Sequence, residues 1–342
     1  MKWQKFFAIS ILLIFIISFI GMNNNRATNQ ITQKMDNSIL NQLNLARIYN
    51  ITKDLSSYRT RLTGSLECNL AANYIQSMLK NTLNVTDVKE ETWVYNGTIS
   101  SNIVARINGT NLKDELVIIS AHYDSISDTG NAPGANDNAV AVAMCMEVMS
   151  LIQNYGIINR TLLFLAFAGE EQAFIGSQAW LNDHKGEVSK IIGVINLDMI
   201  GSGDKFSIVE NEQSTWLSDA IIEASSSANT TFIKSNSPYP ENTRFDHETF
   251  WLKQISAVSI FEEGGTYSYY HTPKDTIDKI SFSLVEKCAS VVILSVLFLG
   301  TSKFQHNWVL FSIVIYFFIG LAAIFPLLIF KKVNKSLVVH AE

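Results

Sequence analysis

The chain has 342 residues, enough for one large domain or two modest ones, and carries 26 Lys and Arg against 31 Asp and Glu, a net charge of −5. That acidic balance offers no basic surface to a nucleic acid, so nucleic-acid binding is not expected. Cys68, Cys145 and Cys288 are too few and too far apart for a disulfide framework or a zinc knuckle, and read as buried free thiols.

Mean hydropathy is +0.15, and the apolar excess sits mainly at the two ends. Phe6 to Met22 is an apolar run preceded by Lys2 and Lys5. It closes Ile17-Ser18-Phe19-Ile20-Gly21-Met22 without the small-residue pattern of a cleavage site. Residues 1–22 are therefore expected to form an uncleaved membrane anchor, with a cleaved signal peptide as the alternative; the domain is expected outside the cytoplasm in either case. Residues 23–36 are polar and read as a stalk. Residues 37–303 form the folded domain.

Within that domain, apolar runs alternate with helical stretches. Leu116 to Ala121 reads as a buried strand, Ala139 to Ile152 as a helix and Leu162 to Phe167 as a second strand. Ala173 to Asp183 reads as a helix, Gly193 to Leu197 as a strand, Thr215 to Ser227 as a helix and Ala257 to Phe261 as a strand. Ser283 to Leu299 closes the series as a core helix: it is very apolar, but Glu286 and Lys287 and its closeness to the domain argue against a membrane span. Continuous apolar strands separated by helices indicate a sheet covered on both faces. The expected fold is a three-layer α/β/α sandwich with a mixed, mainly parallel central sheet.

Trp308 to Phe330 is 23 residues without a charge, followed by Lys331, Lys332 and Lys335. It is expected to be a transmembrane helix, with 331–342 a cytoplasmic tail. The lysines beside both apolar runs lie away from the domain, so both tails are expected in the cytoplasm and the domain outside it, at the cell membrane. Asn-x-Ser/Thr triplets at Asn50, Asn84, Asn96, Asn108, Asn159 and Asn229 fit an exported domain.

Chemistry enters where polar residues end the apolar strands. His122 and Asp124 follow the first, Glu170 and Glu171 the second, and Asp198 the third. Gly134-Ala135-Asn136-Asp137-Asn138 leads into the Ala139 helix, and Tyr269-Tyr270-His271-Thr272-Pro273-Lys274-Asp275 follows the last strand. Ligands of open α/β sheets bind outside the carboxyl ends of the strands, so these residues should converge. Crowded carboxylates repel and resist ionisation unless a cation sits among them. Two imidazoles and three carboxylates (His122, Asp137, Glu171, Asp198, His271) suit zinc, and one carboxylate bridging two ions makes a symmetric pair. Asp124 lies two residues from His122 and can orient it. Glu170 and Glu171 are adjacent and point differently, so one can bind metal while the other acts as general base.

In this order the five blocks resemble the M28 zinc aminopeptidase family: His122-Tyr-Asp124, Gly-Ala-Asn-Asp137-Asn, Ala-Gly-Glu170-Glu171, Asn-Leu-Asp198-Met-Ile-Gly and Tyr-His271-Thr-Pro-Lys-Asp-Thr. The likeness covers roughly residues 40 to 300, from Arg61-Leu-Thr-Gly64-Ser onward. It implies two zinc ions per chain, held by His122, Asp137 as the bridge, Glu171, Asp198 and His271. It also implies Glu170 as general base, Asp124 as support for His122, and Tyr270 as a donor to the oxyanion. The implied activity is removal of amino-terminal residues from peptides with a free amino terminus. Asp246-His247 matches the family's Ser-Asp-His segment, with Phe245 where serine is usual, and Asp275 is expected to fix the loop of His271. Rival readings are a carboxypeptidase, for which Arg244 is the candidate carboxylate partner, a one-zinc glutaminyl cyclase, and an inactive binding ectodomain that would have lost ligands.

Overall fold

The computed structural model describes residues 38–301 except 157, 229, 236–244 and 265–266. The two apolar end runs, the stalk, the tail, Asn229 and Arg244 lie outside the described residues.

Helix α1 (Leu45–Leu55) starts where the Asn44 side chain accepts the Arg47 N–H at 2.9 Å, and α2 (Leu66–Ser77) where Ser65 accepts that of Cys68 at 3.1 Å. Next comes a hairpin absent from the sequence-based expectation, β1 (Asp87–Tyr95) and β2 (Thr98–Ile107). Its two-residue turn, Asn96-Gly97, has φ of 48° and 84°, the left-handed pair that matches the twist of the flanking strands.

The expected elements follow in order: β3 (Leu112–His122), α3 (Val140–Tyr155), β4 (Arg160–Phe167), α4 (Ile175–Asp183) and β5 (Ile191–Leu197). Then come β6 (Lys205–Val209), α5 (Thr215–Ser227), β7 (Phe232–Ser235), α6 (His247–Trp251), β8 (Ala257–Glu263) and α7 (Phe282–Thr301). Helix α4 starts two residues later than its composition suggests, because Ala173 and Phe174 take left-handed φ of 69° and 61°.

The strands form one sheet in the order β1-β2-β4-β3-β5-β8-β6-β7. The centre is parallel: β4 with β3, β3 with β5 and β5 with β8, with β6 and β7 a further parallel pair. The β1/β2, β2/β4 and β6/β8 pairs are antiparallel. The sheet is thus mixed, as expected.

Alternation along the central strands splits the core in two. Val117, Ile119 and Ala121 of β3 and Leu162, Phe164 and Ala166 of β4 pack with α1, α2, α3, α5 and α7. Leu116 and Ile118, with Leu163, Leu165 and Phe167, pack with Trp180 and Leu181 of α4 and Phe250 of α6. Each large side chain so buried contributes about 1.5–3 kcal/mol, and the central strands bury apolar side chains on both faces. This is the three-layer arrangement read from the sequence.

Helix α7 is long and apolar enough to cross a membrane, yet Val285, Ala289, Val292 and Val296 are fully buried in the first core layer. It is a core helix, as its charges and position predict. The three cysteines are free and buried. Burial pushes the Cys68 thiol up to about 12 and holds those of Cys145 and Cys288 above their ordinary range.

Candidate metal centre

His122 is the last residue of β3. Its Nδ1 lies 3.2 Å from the Asp124 carbonyl oxygen and 3.4 Å from Asp124 Oδ1. Asp124 is fixed in turn by the Thr63 hydroxyl, which donates to Oδ2 at 2.8 Å. This leaves Nε2 of His122 facing Asp137 Oδ1 at 3.1 Å and Asp198 Oδ2 at 3.5 Å. On the other side, His271 Nε2 stands 3.3 Å from Asp137 Oδ2 and 2.9 Å from Glu171 Oε2. Asp137 therefore presents one carboxylate oxygen to each imidazole. The residues gather into overlapping triads: His122 with Asp137 and Asp198, Asp137 with Glu171 and His271, and His122 with Glu170 and Glu171. Within each triad the donor atoms lie inside 4.8 Å of one another.

All eight residues singled out from the sequence belong to this region. Tyr270 stacks its ring on His271 at 3.7 Å between centroids and is 43% exposed. Burial, then the carboxylates of Asp137, Glu171 and Asp198, hold the Tyr270 hydroxyl well above its ordinary range. It stays protonated and able to donate.

The loop bearing Asp137 is tied down by residues that sequence reading gave no role or a different one. Gly134 has φ of 54°, and a Cβ there would come within 2.7 Å of Arg61 Nη2. Arg61 is fully buried and spends its donors on the carbonyls of Leu55, Tyr123, Pro133 and Gly134. The Asn136 amide donates to both oxygens of Glu262, at 2.9 and 3.0 Å, and accepts the Gly201 N–H at 2.8 Å. Asn138 donates to the Leu197 carbonyl at 2.9 Å and accepts the Met199 N–H at 3.2 Å. The two asparagines flanking Asp137 thus latch it to the segment bearing Asp198. Asp275 also serves this loop, accepting the N–H groups of Asn136 and Asp137 at 2.8 and 3.0 Å. His271 and Met199 have φ of 53° and 50°, strained values of the kind that collect at functional sites.

The electrostatics fit a cation-holding site. Burial raises the carboxyls of Glu170 and Asp198, and lifts that of Glu171 to about 8. Burial opposes charge on His271, but Asp137 and Glu171 outweigh it and bring the imidazole to about 10. His122 is raised in the same way by Asp198 and Glu170. Without a metal the imidazoles carry the positive charge that these carboxylates require. Among the described residues, the Glu171 Oε1 and His271 Nε2 atoms are buried without a hydrogen-bond partner, although His271 Nε2 has carboxylate oxygens near it. Atoms that converge without directed hydrogen bonds suit a shared metal ion. The donor set, nitrogen and carboxylate oxygen, is that of zinc.

Asp246 is 1% exposed, with neither oxygen hydrogen-bonded among the described residues, and burial raises it to about 7. Its buried carboxylate adds to the charge around His122, even with Phe245 beside it. Burial keeps His247 neutral, lowering it to about 3.

Comparison with known proteins places the chain in a peptidase family. The sequence profile of peptidase family M28 matches residues 102–296. A probable zinc metalloprotease of Pyrenophora tritici-repentis is 36% identical over 107 residues, 30% of this chain and 24% of that protein. Leucine aminopeptidase 1 of Trichophyton equinum is 31% identical over 160 residues, 43% of this chain and 42% of that protein. The chain therefore matches less than half the length of these relatives. The crystal structure of the LapA aminopeptidase of Legionella pneumophila superposes with a TM-score of 0.69 at 19% identity, covering 79% of this chain and 75% of that one. That likeness is one of fold.

Proposed function

The chain belongs to peptidase family M28, and from that membership we propose that it is a membrane-anchored aminopeptidase holding two zinc ions. The observation that carries this reading is the Asp137 carboxylate, with Oδ1 facing His122 at 3.1 Å and Oδ2 facing His271 at 3.3 Å. One zinc would be held by His122, Asp198 and Asp137, and the other by His271, Glu171 and Asp137. When bound, the pair supplies the Lewis acidity that activates a water and polarises the scissile carbonyl.

The chain's own residues supply the rest. Burial, only partly opposed by His122, holds the Glu170 carboxyl well above its ordinary range. Glu170, grouped with His122 and Glu171, is placed to take a proton from the attacking water and return it to the leaving amine. Asp124 holds Nδ1 of His122 and so directs Nε2 inward. Tyr270 donates its hydroxyl proton to the developing oxyanion. The surplus of carboxylates, with Asp246 added, suits the ammonium of a free amino terminus. A substrate carboxylate has no partner in Arg61, whose donors are taken by carbonyls. The apolar runs 6–22 and 308–330, each with lysines on its outer side, support an extracytoplasmic domain at the cell membrane and a cytoplasmic C-terminal tail.

The test is to purify the full chain, measure bound zinc, and assay free and N-acetylated peptides beside Glu170→Gln. About two zinc per chain is expected, with cleavage abolished by acetylation and by the substitution. One zinc with cyclisation of amino-terminal glutamine would replace this reading with the cyclase. Folded, metal-free and inactive protein would leave a binding ectodomain.

A further inference from the structure

We propose that the groove between strand β1 and helix α4 binds an extended polypeptide, added as a strand along β1, and takes the part of a substrate beyond the cleaved bond. This rests on the peptidase reading of the neighbouring site.

The groove encloses about 660 Å³, within the range of ligand sites. Trp93 and Tyr95 of β1 form one wall; Gln172, Ile175 and Gln178 form the other. Strand β1 is outermost in the sheet, and among the described residues it pairs with β2 alone. Its other edge keeps backbone donors and acceptors for an added strand. Val94 and Tyr95, 67% and 51% exposed, place apolar surface along that edge.

The groove has a direction. His184 Nε2 lies 3.4 Å from Glu91 Oε1 at the C-terminal end of α4 and ties the walls together there. The other end reaches Gln172 and Ala173, which directly follow the ligand Glu171. Trp93 packs close to Gly169, where a Cβ would lie 3.1 Å from Trp93 Cη2. The wall of the groove and the Glu170-Glu171 turn are therefore in contact. The turn itself holds Ala173 and Phe174 in consecutive left-handed conformations, and the Gln178 side chain braces it by donating to the Ala173 carbonyl at 2.7 Å. Strain held at a junction between a ligand loop and a groove is the pattern of a functional segment.

The lining selects the ligand class. Side-chain amides both donate and accept, as peptide groups require, and Trp93 and Ile175 suit alternate side chains of a strand. Asp183 is the sole charged residue in the lining, with no lysine or arginine to hold a phosphate or a carboxylate. A neutral, extended backbone matches this chemistry.

The test uses the zinc-loaded full chain in detergent, with two readouts. Amide exchange at residues 92–95 is measured with and without an N-acetylated nonapeptide, which needs no catalysis. The kcat/KM of the free nonapeptide is compared with that of an aminoacyl anilide, in the parent and in Asn182→Trp, which fills the groove from the exposed face of α4. Exchange at 92–95 should slow at least fivefold, and the nonapeptide-to-anilide ratio should fall at least fivefold in the variant, through KM. Unchanged exchange, or an unchanged ratio, overturns the proposal. If the parent leaves the anilide and free peptide uncut, the aminopeptidase reading fails and the exchange result alone decides the groove.

Discussion

Oδ2 of Asp275 accepts the backbone N–H of Asp137 at 3.0 Å, across 138 residues of sequence. Its Oδ1 accepts the Asn136 N–H at 2.8 Å and the Tyr267 hydroxyl at 2.6 Å. One carboxylate thus spans the loop of Asp137 and the segment that carries His271, four residues before it. Asp275→Asn keeps the shape but replaces one accepting oxygen with an NH₂ that faces an N–H. Removing such support for a ligand typically weakens metal binding by about 10–100-fold. Zinc affinity measured by chelator competition should fall in that range, with the domain still folded. An unchanged affinity would show that the ligand loop is held without this clamp.

Metal removal should change the sign of the pH dependence of stability. In the metal-free protein burial lifts Glu171 to about 8, above its ordinary 4.5, and burial is outweighed at His271, which reaches about 10 from 6.5. Both groups bind more protons folded than unfolded, so the stability they give is lost as pH rises from about 4.5 to 10. Asp198, Glu170 and His122 are raised and act in the same direction. With zinc the dependence reverses over the lower part of that range, because the ligands must be deprotonated to bind. Thermal melts between pH 5 and 9, with and without a chelator, should diverge as pH rises. Parallel curves would count against His122, Asp137, Glu171, Asp198 and His271 acting as one cation site.

Legibility in the sequence followed physical locality. Leu116 to Ala121 and Leu162 to Phe167 are buried on both faces, so each is a continuous apolar run visible without partners. Strand β1, Asp87–Tyr95, is an outer strand with exposed Lys89, Glu90 and Val94, and its mixed composition hid it. The usable signal there was Asn96-Gly97, a strong two-residue hairpin turn. The residues that gather at the candidate metal centre were legible because each sits at or just beyond a strand end or within a motif. Glu262 was not, because its partner Asn136 is 126 residues away and nothing local marks it as a latch.

Asn138 tests that latch directly. Its amide donates to the Leu197 carbonyl at 2.9 Å while its oxygen accepts the Met199 N–H at 3.2 Å, bracketing Asp198. Asn138→Asp keeps the acceptor but sets a carboxylate oxygen against a carbonyl, in a position with no exposure. A buried group left without its partner costs about 1–3 kcal/mol, more if charged. The melting temperature should drop accordingly, most at alkaline pH where the new carboxyl ionises. A variant as stable as the parent at pH 8 would remove Asn138 from the support of this site.

Tyr270 separates chemistry from metal binding. Its ring stacks on His271, and Tyr270→Phe preserves that stack while deleting the hydroxyl. The hydroxyl touches no ligand by hydrogen bond among the described contacts, so zinc content should stay at the parent value. If it donates to the oxyanion, an interaction made chiefly in the transition state, kcat should fall by about 10²–10³ with little change in KM. A rise in KM at constant kcat would instead make Tyr270 a uniform binding surface for substrate. Loss of zinc along with activity would mean that the hydroxyl helps to hold His271 in its left-handed conformation. Steady-state kinetics with metal analysis of the same samples distinguishes the three results.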